Sequence, residues 1–261
     1  FLVADPHSAF VLETAGKRHA VEEVQGARSI SNGLTIKGFA EAHSDTVKTW
    51  ACASRSRRRR TQELAEQVDD VAGMMSVLRD HGAGRSEPQY SIVNGGMSAP
   101  CMHAGGLAAA SQTTASWVAE LSSDKVQHWV TGTAAPCCSL FRPVRVDEPL
   151  SLGPSATDTF DASSLWWRGE LLHRRVMQDP PRLFPLFTAE RDRVEAAWLS
   201  APPEPADAFR EADELLERWT ARVESETNSD HRPGFVRRYW AKRDRRANLP
   251  EPSAQIAITS T

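Results

Sequence analysis

Short apolar and β-branched runs, separated by glycines and polar turns, fill the first forty residues. Such runs predict β-strands, because branched and aromatic side chains suit a pleated surface and glycines punctuate it. We expect strands at residues 1–4, 9–14, 19–24 and 28–36. The chain therefore opens inside a sheet. An edge strand at the very start is expected to have a pairing neighbour in a longer protein.

A helical period follows the β-rich start. Apolar residues recur at intervals of 4, 3, 4 and 3, which places them on one face of a helix. They are Leu64, Val68, Val71, Met75 and Leu78. The spacing predicts one helix over residues 61–82, with Thr61 as its N-cap and Gly82 just past its end. Asp69 and Asp70 are expected to be ordinary solvated charges.

Strand-like segments return at residues 98–103, 111–121, 128–133 and 139–146, with a turn at residues 122–125. Helices are expected at 163–178, at 188–199 with Thr188 as its N-cap, at 208–226 and at 235–246. The helix over 208–226 carries one apolar stripe, formed by Phe209, Ala212, Leu216, Trp219 and Val223. Hairpins on both sides of an amphipathic helix predict an α+β fold. The pattern changes after Pro149. We expect a β-rich core over residues 1–150, a helical part of the same domain over 151–249, and a loose tail over 250–261.

Composition excludes several classes of protein. The hydrophobic fraction of 40% and the charged fraction of 25% are those of a globular domain. No window approaches 18 consecutive apolar residues, so no membrane partner is expected. The four cysteines show neither CxxC nor Cys/His ligand spacing, and adjacent Cys137 and Cys138 do not readily bridge each other. This pattern favours a reducing, cytoplasmic setting. No metal or other cofactor is expected.

Charge is unevenly distributed although the net charge is only −3. Residues 190–230 hold 12 acidic against 5 basic residues, and residues 232–246 hold 7 basic and one acidic residue. The two blocks of opposite charge are expected to form ion pairs with each other or with a second copy of the chain. Nucleic-acid binding through residues 55–60 and 232–246 is an alternative, which the acidic overall balance disfavours. It predicts an affinity that falls steeply with salt.

Three features are candidates for chemistry. Five arginines at residues 55–60 are expected to face carboxylates, from the protein or from an anionic ligand, unless they form a solvated loop. Cys101 and His103 can form a thiolate nucleophile if they touch, or a buried cysteine with a hydrogen-bonded histidine. Asn32 precedes Gly33 at a turn. Its amide suits either an oxyanion donor or a plain turn residue.

Six blocks carry a family resemblance. They are VLETAGKRHAVEEV, ARSISNGLTI, RSRRRRTQEL with MMSVLRDHG, CMHAGG, SQTTASWVAEL and HWVTGTAAPCCSLFRPV, in this order. Together they resemble the secernins and related cysteine dipeptidases of the N-terminal-nucleophile (Ntn) hydrolase superfamily. The resemblance covers residues 1–180 and implies an αββα sandwich of two sheets between helix layers.

The resemblance implies an amidase in which an N-terminal cysteine attacks a dipeptide or a similar small amide. Asn32 matches the family's asparagine at the oxyanion or substrate site. The family's nucleophile comes before the ETAG block, so we expect it outside this chain, which should be inactive alone. The family's basic residue before SQTT is also replaced, here by apolar residues 107–110. A non-catalytic, secernin-like regulatory or interaction protein is the alternative.

Overall fold

The computed structural model describes residues 1–45, 49–50, 52–108 and 110–251. Within them the chain combines α-helices with two small antiparallel sheets, as an α+β fold predicts. The strands are β1 (Leu2–Ala4), β2 (Ala9–Ala15), β3 (Arg18–Glu23), β4 (Trp117–Leu121), β5 (Val126–Val130) and β6 (Arg142–Val144). The helices are α1 (Phe39–His43), α2 (Ser54–Ala65), α3 (Val71–Leu78), α4 (Leu165–Val176), α5 (Pro180–Leu183), α6 (Thr188–Ser200), α7 (Pro205–Glu226) and α8 (Gly234–Arg246). Short 3-10 turns lie at Pro136–Cys138 and Phe184–Leu186.

The first sheet has the order β1-β2-β3 and the second the order β4-β5-β6. A two-residue loop with Gly16 at φ 62° joins β2 to β3, which suits a residue without a side chain. Ser122 and Lys125 close the β4–β5 hairpin through backbone and side-chain hydrogen bonds, at the predicted turn. β1 forms an edge, and its apolar side chains are exposed.

The predicted single helix over residues 61–82 is wrong, because the structure has two helices there. α2 begins at Ser54 and includes the arginine run, so Thr61 lies inside it and bonds back to the Arg57 carbonyl. Asp70 adopts an extended backbone and caps α3 by accepting from the Gly73 N–H at 2.6 Å. An aspartate is a favourable N-cap, so the chain restarts a helix at this point.

Other boundaries also differ. Residues 28–36 form an extended loop instead of the fourth strand, and residues 98–103 contribute only the isolated bridge between Gly96 and His103. α6 begins as predicted, but Thr188 is not its cap. Residues 252–261 of the predicted tail lie outside the described residues, and the predicted division at residue 150 stays a prediction.

The main core joins the second sheet to the helices. α3 contacts β4, α7 contacts β6, and α4 packs along α7. The predicted apolar stripe of α7 is confirmed, since all of its residues are buried: Phe209, Ala212, Leu216, Trp219 and Val223. They meet Trp129 and Phe141 of the sheet region. Burial of apolar surface stabilises the fold by about 25 cal/mol per Å², and here it holds the second sheet and the helices together.

The acidic residues of α7 find partners on helices other than α8. Asp213 pairs with Arg168 and Glu224 with Arg175, both on α4. On α8, Asp244 pairs with Arg174, while most of the basic side chains face solvent. Among the described residues, the Asp230–Arg232 pair joins the two charge blocks, so the blocks neutralise each other only in part. Pairing with a second copy of the chain stays a prediction. α4 lies beside α7 and supplies cations to its acidic residues. Within the described residues, no helix combines the length and apolar character needed to cross a membrane.

Candidate functional site

Asn32 lies in the extended loop that follows β3, and the buried carboxylate of Glu13 anchors this loop. Glu13 accepts from the backbone N–H of Thr35 at 2.7 Å, from the Thr35 hydroxyl at 2.7 Å and from the Ile36 N–H at 2.9 Å. Burial alone would raise the pKa of Glu13, but these hydrogen bonds outweigh it and hold the pKa below 4.5. The alternation of β2 places Glu13 on the same face as Val11, which fixes where the loop attaches.

The side chain of Asn32 is oriented by Arg57. Arg57 Nη2 donates to Asn32 Oδ1 at 2.5 Å, while its Nη1 donates to the carbonyls of Cys52 and Met97. Burial lowers the pKa of the Arg57 guanidinium. Because the amide oxygen of Asn32 is engaged with Arg57, its NH₂ group points away from the guanidinium. Asn32 itself is an exposed residue.

A cavity of about 530 Å³ lies directly beyond Asn32 along the loop. Gly33, Leu34 and Thr35 of the loop line it, together with Arg55, Arg58 and Arg59 of α2. The remaining arginines of the run have other roles. Arg57 is buried, and Arg60 makes a bidentate pair with Asp80. The expected carboxylate partners are thus present for Arg60, and Arg59 lies 3.7 Å from Glu63.

The cysteines lie in two places. Cys52 is partly exposed next to Arg57, whereas Cys101, Cys137 and Cys138 are buried in the main core. None forms a disulfide. At the start of the chain, the Phe1 amine donates to the Leu12 carbonyl at 2.7 Å, so that amine is held in the sheet.

The second group of reactive side chains is the Cys/His cluster, which consists of His81, Cys101, His103 and Cys137. One nitrogen or sulfur atom from each residue lies within 4.8 Å of all the others, and all four residues are buried. His103 Nε2 is central. It lies 3.1 Å from His81 Nε2, 3.3 Å from Cys101 Sγ and 3.7 Å from Cys137 Sγ.

Neighbouring backbone segments position the members of the Cys/His cluster. His81 lies three residues after the end of α3. The Cys101 N–H donates to the Asp80 carbonyl, and His103 exchanges two backbone hydrogen bonds with Gly96. Cys137 sits in the 3-10 turn after Ala135, which has φ 54°. The cluster is therefore assembled by the fold from three separate segments.

A hydrogen-bonded relay continues from the cluster into α4. His103 Nδ1 lies 3.0 Å from His173 Nε2, and His173 Nδ1 lies 3.0 Å from Glu170 Oε2. Glu170 is fully buried, and Arg174 and Gln112 donate to its two oxygens. Burial raises the pKa of Glu170, but His173 and Arg174 outweigh this effect and lower it overall. The end of the relay is therefore an ionised carboxylate.

The thiols and imidazoles of the cluster differ in their acidity. Burial lowers the pKa of His103 to about 4, so its imidazole is neutral near pH 7. Burial raises the pKa of Cys101. Burial also opposes ionisation of Cys137, yet hydrogen bonds with Cys101 and Cys138 and the nearby His103 hold its pKa well below the usual range. Cys137 is therefore the thiol most ready to lose its proton.

Part of the Cys/His cluster could be recognised from the sequence. The side chains of Cys101 and His103 are in contact, which is the condition that the thiolate interpretation of their spacing required. His81 and Cys137 lie 20 residues before and 36 residues after Cys101, so no ligand motif connects them. The expectation of no metal site depended on that spacing. The fold nevertheless brings the four donor atoms together, because residues far apart in sequence become neighbours when the chain packs.

No protein-family model matches the chain, and no solved structure matches it.

Proposed function

We propose that this chain is part of a cysteine-type Ntn amidohydrolase that cleaves dipeptides or a similar small amide. The observation that carries the proposal is the Asn32 amide, whose oxygen Arg57 holds and whose neighbour Gly33 lines a basic cavity. The ordered motifs that resemble secernins and cysteine dipeptidases support it. The nucleophilic cysteine is proposed to lie outside the 261 residues, and the complete αββα sandwich is part of the same proposal.

The geometry suits acyl transfer. In the proposed reaction a cysteine thiolate attacks the amide carbon, a C–S bond forms, and negative charge develops on the former carbonyl oxygen. An uncharged N–H donor fixed in advance stabilises that oxyanion at little reorganisation cost. Asn32 meets this requirement because its Oδ1 is occupied by Arg57. The C–N bond then breaks, the amine leaves with a proton, and water releases the acid from the acyl-enzyme.

The cavity suits a small anionic substrate. Its volume of about 530 Å³ lies within the range of small-molecule sites. Arg55, Arg58 and Arg59 present guanidinium groups, which recognise a carboxylate through paired N–H donors. The free C-terminal carboxylate of a dipeptide has the chemistry that this wall would bind. This match between cavity charge and substrate supports a dipeptide over a neutral amide.

Two further features support a longer parent enzyme. β1 is an edge strand, and the side chains of Phe1, Leu2 and Val3 are each more than half exposed. Exposed apolar edges are normally covered by another strand. Neither Phe1 nor the three buried cysteines offers an accessible nucleophile. The free thiols fit the cytoplasmic setting expected from the sequence.

The test compares the 261-residue chain with the protein extended to the start of its gene. Both are assayed against a panel of dipeptides, and only the extended protein is expected to hydrolyse them. In the extended protein, Asn32→Ala should lower kcat by about 10²–10³-fold, the cost of losing one oxyanion donor. The matched control is Asn228→Ala, which alters another exposed asparagine in a loop and should leave kcat unchanged.

Two results would contradict the proposal. A wild-type kcat in the Asn32→Ala variant would remove this residue from the site. An extended protein that folds but cleaves no dipeptide would favour the non-catalytic, secernin-like alternative. Circular dichroism of each variant separates loss of chemistry from loss of structure.

A further inference from the structure

We propose that the Cys/His cluster is a binding site for one zinc-type divalent cation, held by His81, Cys101, His103 and Cys137. This site is independent of the proposed hydrolysis, because its residues are neither the Asn32 loop nor the wall of the basic cavity. Two sulfur and two nitrogen donors in a tetrahedral arrangement are characteristic of zinc sites in proteins.

The hydrogen bonds place two imidazole lone pairs face to face when each ring carries one proton. His173 Nδ1 donates to the Glu170 carboxylate, so a singly protonated His173 ring accepts at Nε2. His103 must therefore donate from Nδ1, which leaves a lone pair on Nε2. His81 Nδ1 faces the Ser86 carbonyl and must also donate, so a singly protonated His81 ring has its lone pair on Nε2.

Two lone pairs thus face each other across 3.1 Å. Neutral imidazoles repel in this arrangement, so the site needs either one shared proton or a metal ion. A shared proton would satisfy only the two nitrogens. The sulfur atoms of Cys101 and Cys137 converge on the same point, at 3.3 and 3.7 Å from His103 Nε2. A metal ion accounts for all four donors at once.

The distances match a tetrahedral ion. With Zn–N near 2.0–2.1 Å and Zn–S near 2.3 Å, the donor atoms of such a site lie about 3.3 Å apart for N–N and about 3.5 Å apart for N–S. The observed values of 3.1, 3.3 and 3.7 Å fall close to these edges. The widest pair, at most 4.8 Å, needs to close by about 1 Å around the ion.

The surroundings also suit a metal. The relay from His103 through His173 to Glu170 is the arrangement that fixes the tautomer and ring plane of a metal-binding histidine. Trp240 packs edge-on against His173 at 6.0 Å and shields this relay. On the other side, a cavity of about 390 Å³ reaches His81 and Cys137 and provides an entry path. Binding would displace the two thiol protons to solvent and give a neutral centre.

The experiment measures metal in the full chain as purified from zinc-supplemented growth without chelator. Elemental analysis is expected to find one zinc per chain. The metal-free protein is then titrated with Co²⁺, whose tetrahedral thiolate complexes absorb strongly in the visible and near ultraviolet. One equivalent should saturate both the thiolate band and the visible band. Cys101→Ser and Cys137→Ser should each reduce the thiolate band and lower zinc content.

Control variants use the remaining cysteines. Cys138→Ala alters a sulfur that lies 3.8 Å from Cys137 Sγ but outside the four-donor set, and Cys52→Ser alters the distant thiol. Both should retain one zinc and the full cobalt spectrum. Glu170→Gln tests the relay. It should weaken zinc affinity by about 10–100-fold while keeping the thiolate band, as loss of an outer-shell partner does.

Several outcomes would overturn the site. One is a folded wild-type chain that contains no zinc and gives no thiolate band with Co²⁺. This outcome does not depend on whether any variant folds. Another is a cobalt spectrum that Cys101→Ser and Cys137→Ser leave unchanged. A third is rapid alkylation of Cys137 that saturating Zn²⁺ does not slow. That result would make the cluster a reactive thiolate with its histidine partner.

Discussion

The Asn32 loop and the Cys/His cluster are built in opposite ways. Asn32 is exposed, and its orientation comes from one buried arginine and one anchored loop. The Cys/His cluster is buried, and it depends on α3, two loops and the relay on α4. The first arrangement leaves a donor free for a ligand of modest size. The second leaves no room for anything larger than an ion until the cavity beside His81 is reached.

This contrast predicts different sensitivities. A change near Asn32 should alter chemistry while the core persists, because few packed side chains depend on that loop. A change near the Cys/His cluster should alter stability and metal uptake together, because the same residues hold the main core. The variants below test this separation in order of decreasing expected effect.

The largest effect is expected from Arg79→Met. Arg79 makes a bidentate pair with Glu195 at 2.6 and 2.7 Å and also donates to the Pro136 and Ser139 carbonyls beside Cys137. Its removal leaves the Glu195 carboxylate buried without its main partner. We expect a loss of about 3–5 kcal/mol in the free energy of unfolding, as measured by urea denaturation.

The control for Arg79 is Arg145→Met, which breaks an exposed pair with Glu148. That change should cost less than about 1 kcal/mol. Equal losses in the two variants would show that the buried pair does not hold the Cys/His cluster region together.

An intermediate effect is expected from Arg57→Met in the extended protein. The change releases Asn32 Oδ1 and leaves the Cys52 and Met97 carbonyls without this donor. Misplacement of a catalytic group by about 1 Å can cost 10²-fold, so kcat against dipeptides should fall by up to about this factor. Zinc content should not change.

Arg193→Met, on the exposed face of α6, is the matched control and should retain full kcat. If Arg57→Met lost its zinc as well as its activity, the two regions would not be independent.

The smallest effect is expected from Glu13→Gln. Since the folded pKa of Glu13 lies below 4.5, the carboxylate stabilises the fold above that pH, and the contribution is lost as pH falls through the folded pKa. Gln replaces one acceptor oxygen by a donor, so about 1–3 kcal/mol should be lost at pH 7. The variant should also show a weaker decline in the free energy of unfolding as pH falls from about 5 to about 3.

Urea denaturation across pH measures both effects, with Glu23→Gln on the exposed side of β3 as the control. A Glu13→Gln variant with the wild-type pH profile would exclude this carboxylate as the anchor of the Asn32 loop.

Local pattern predicted those parts of the fold in which neighbouring residues decide the structure. The α7 stripe and the Ser122–Lys125 turn are such cases, because a helical face or a tight turn is encoded within one segment. The same pattern failed at Asp70, where an extended backbone interrupts an otherwise continuous period. It also failed at residues 28–36, whose apolar side chains pack in a loop that Glu13 and Arg28 secure.

The candidate sites also contain parts that the sequence predicted and parts that it did not. Asn32 was selected from its position before Gly33 and from the resemblance, but its partner Arg57 lies 25 residues away and was seen only as part of a charged run. The Cys/His cluster required contacts that span up to 56 residues, from His81 to Cys137. Spacing along the chain carries no information on such contacts until the helices are packed.

The Glu170–His173 relay has a consequence for synthesis. A ribosome makes the four donor residues of the Cys/His cluster before α4, which carries Glu170 and His173, and before α6, which carries Glu195. At translation rates of about 5–20 residues per second, the nascent chain carries Cys101 and Cys137 for seconds without their covering helices. During that interval these thiols are not yet buried, in contrast to their state in the finished protein.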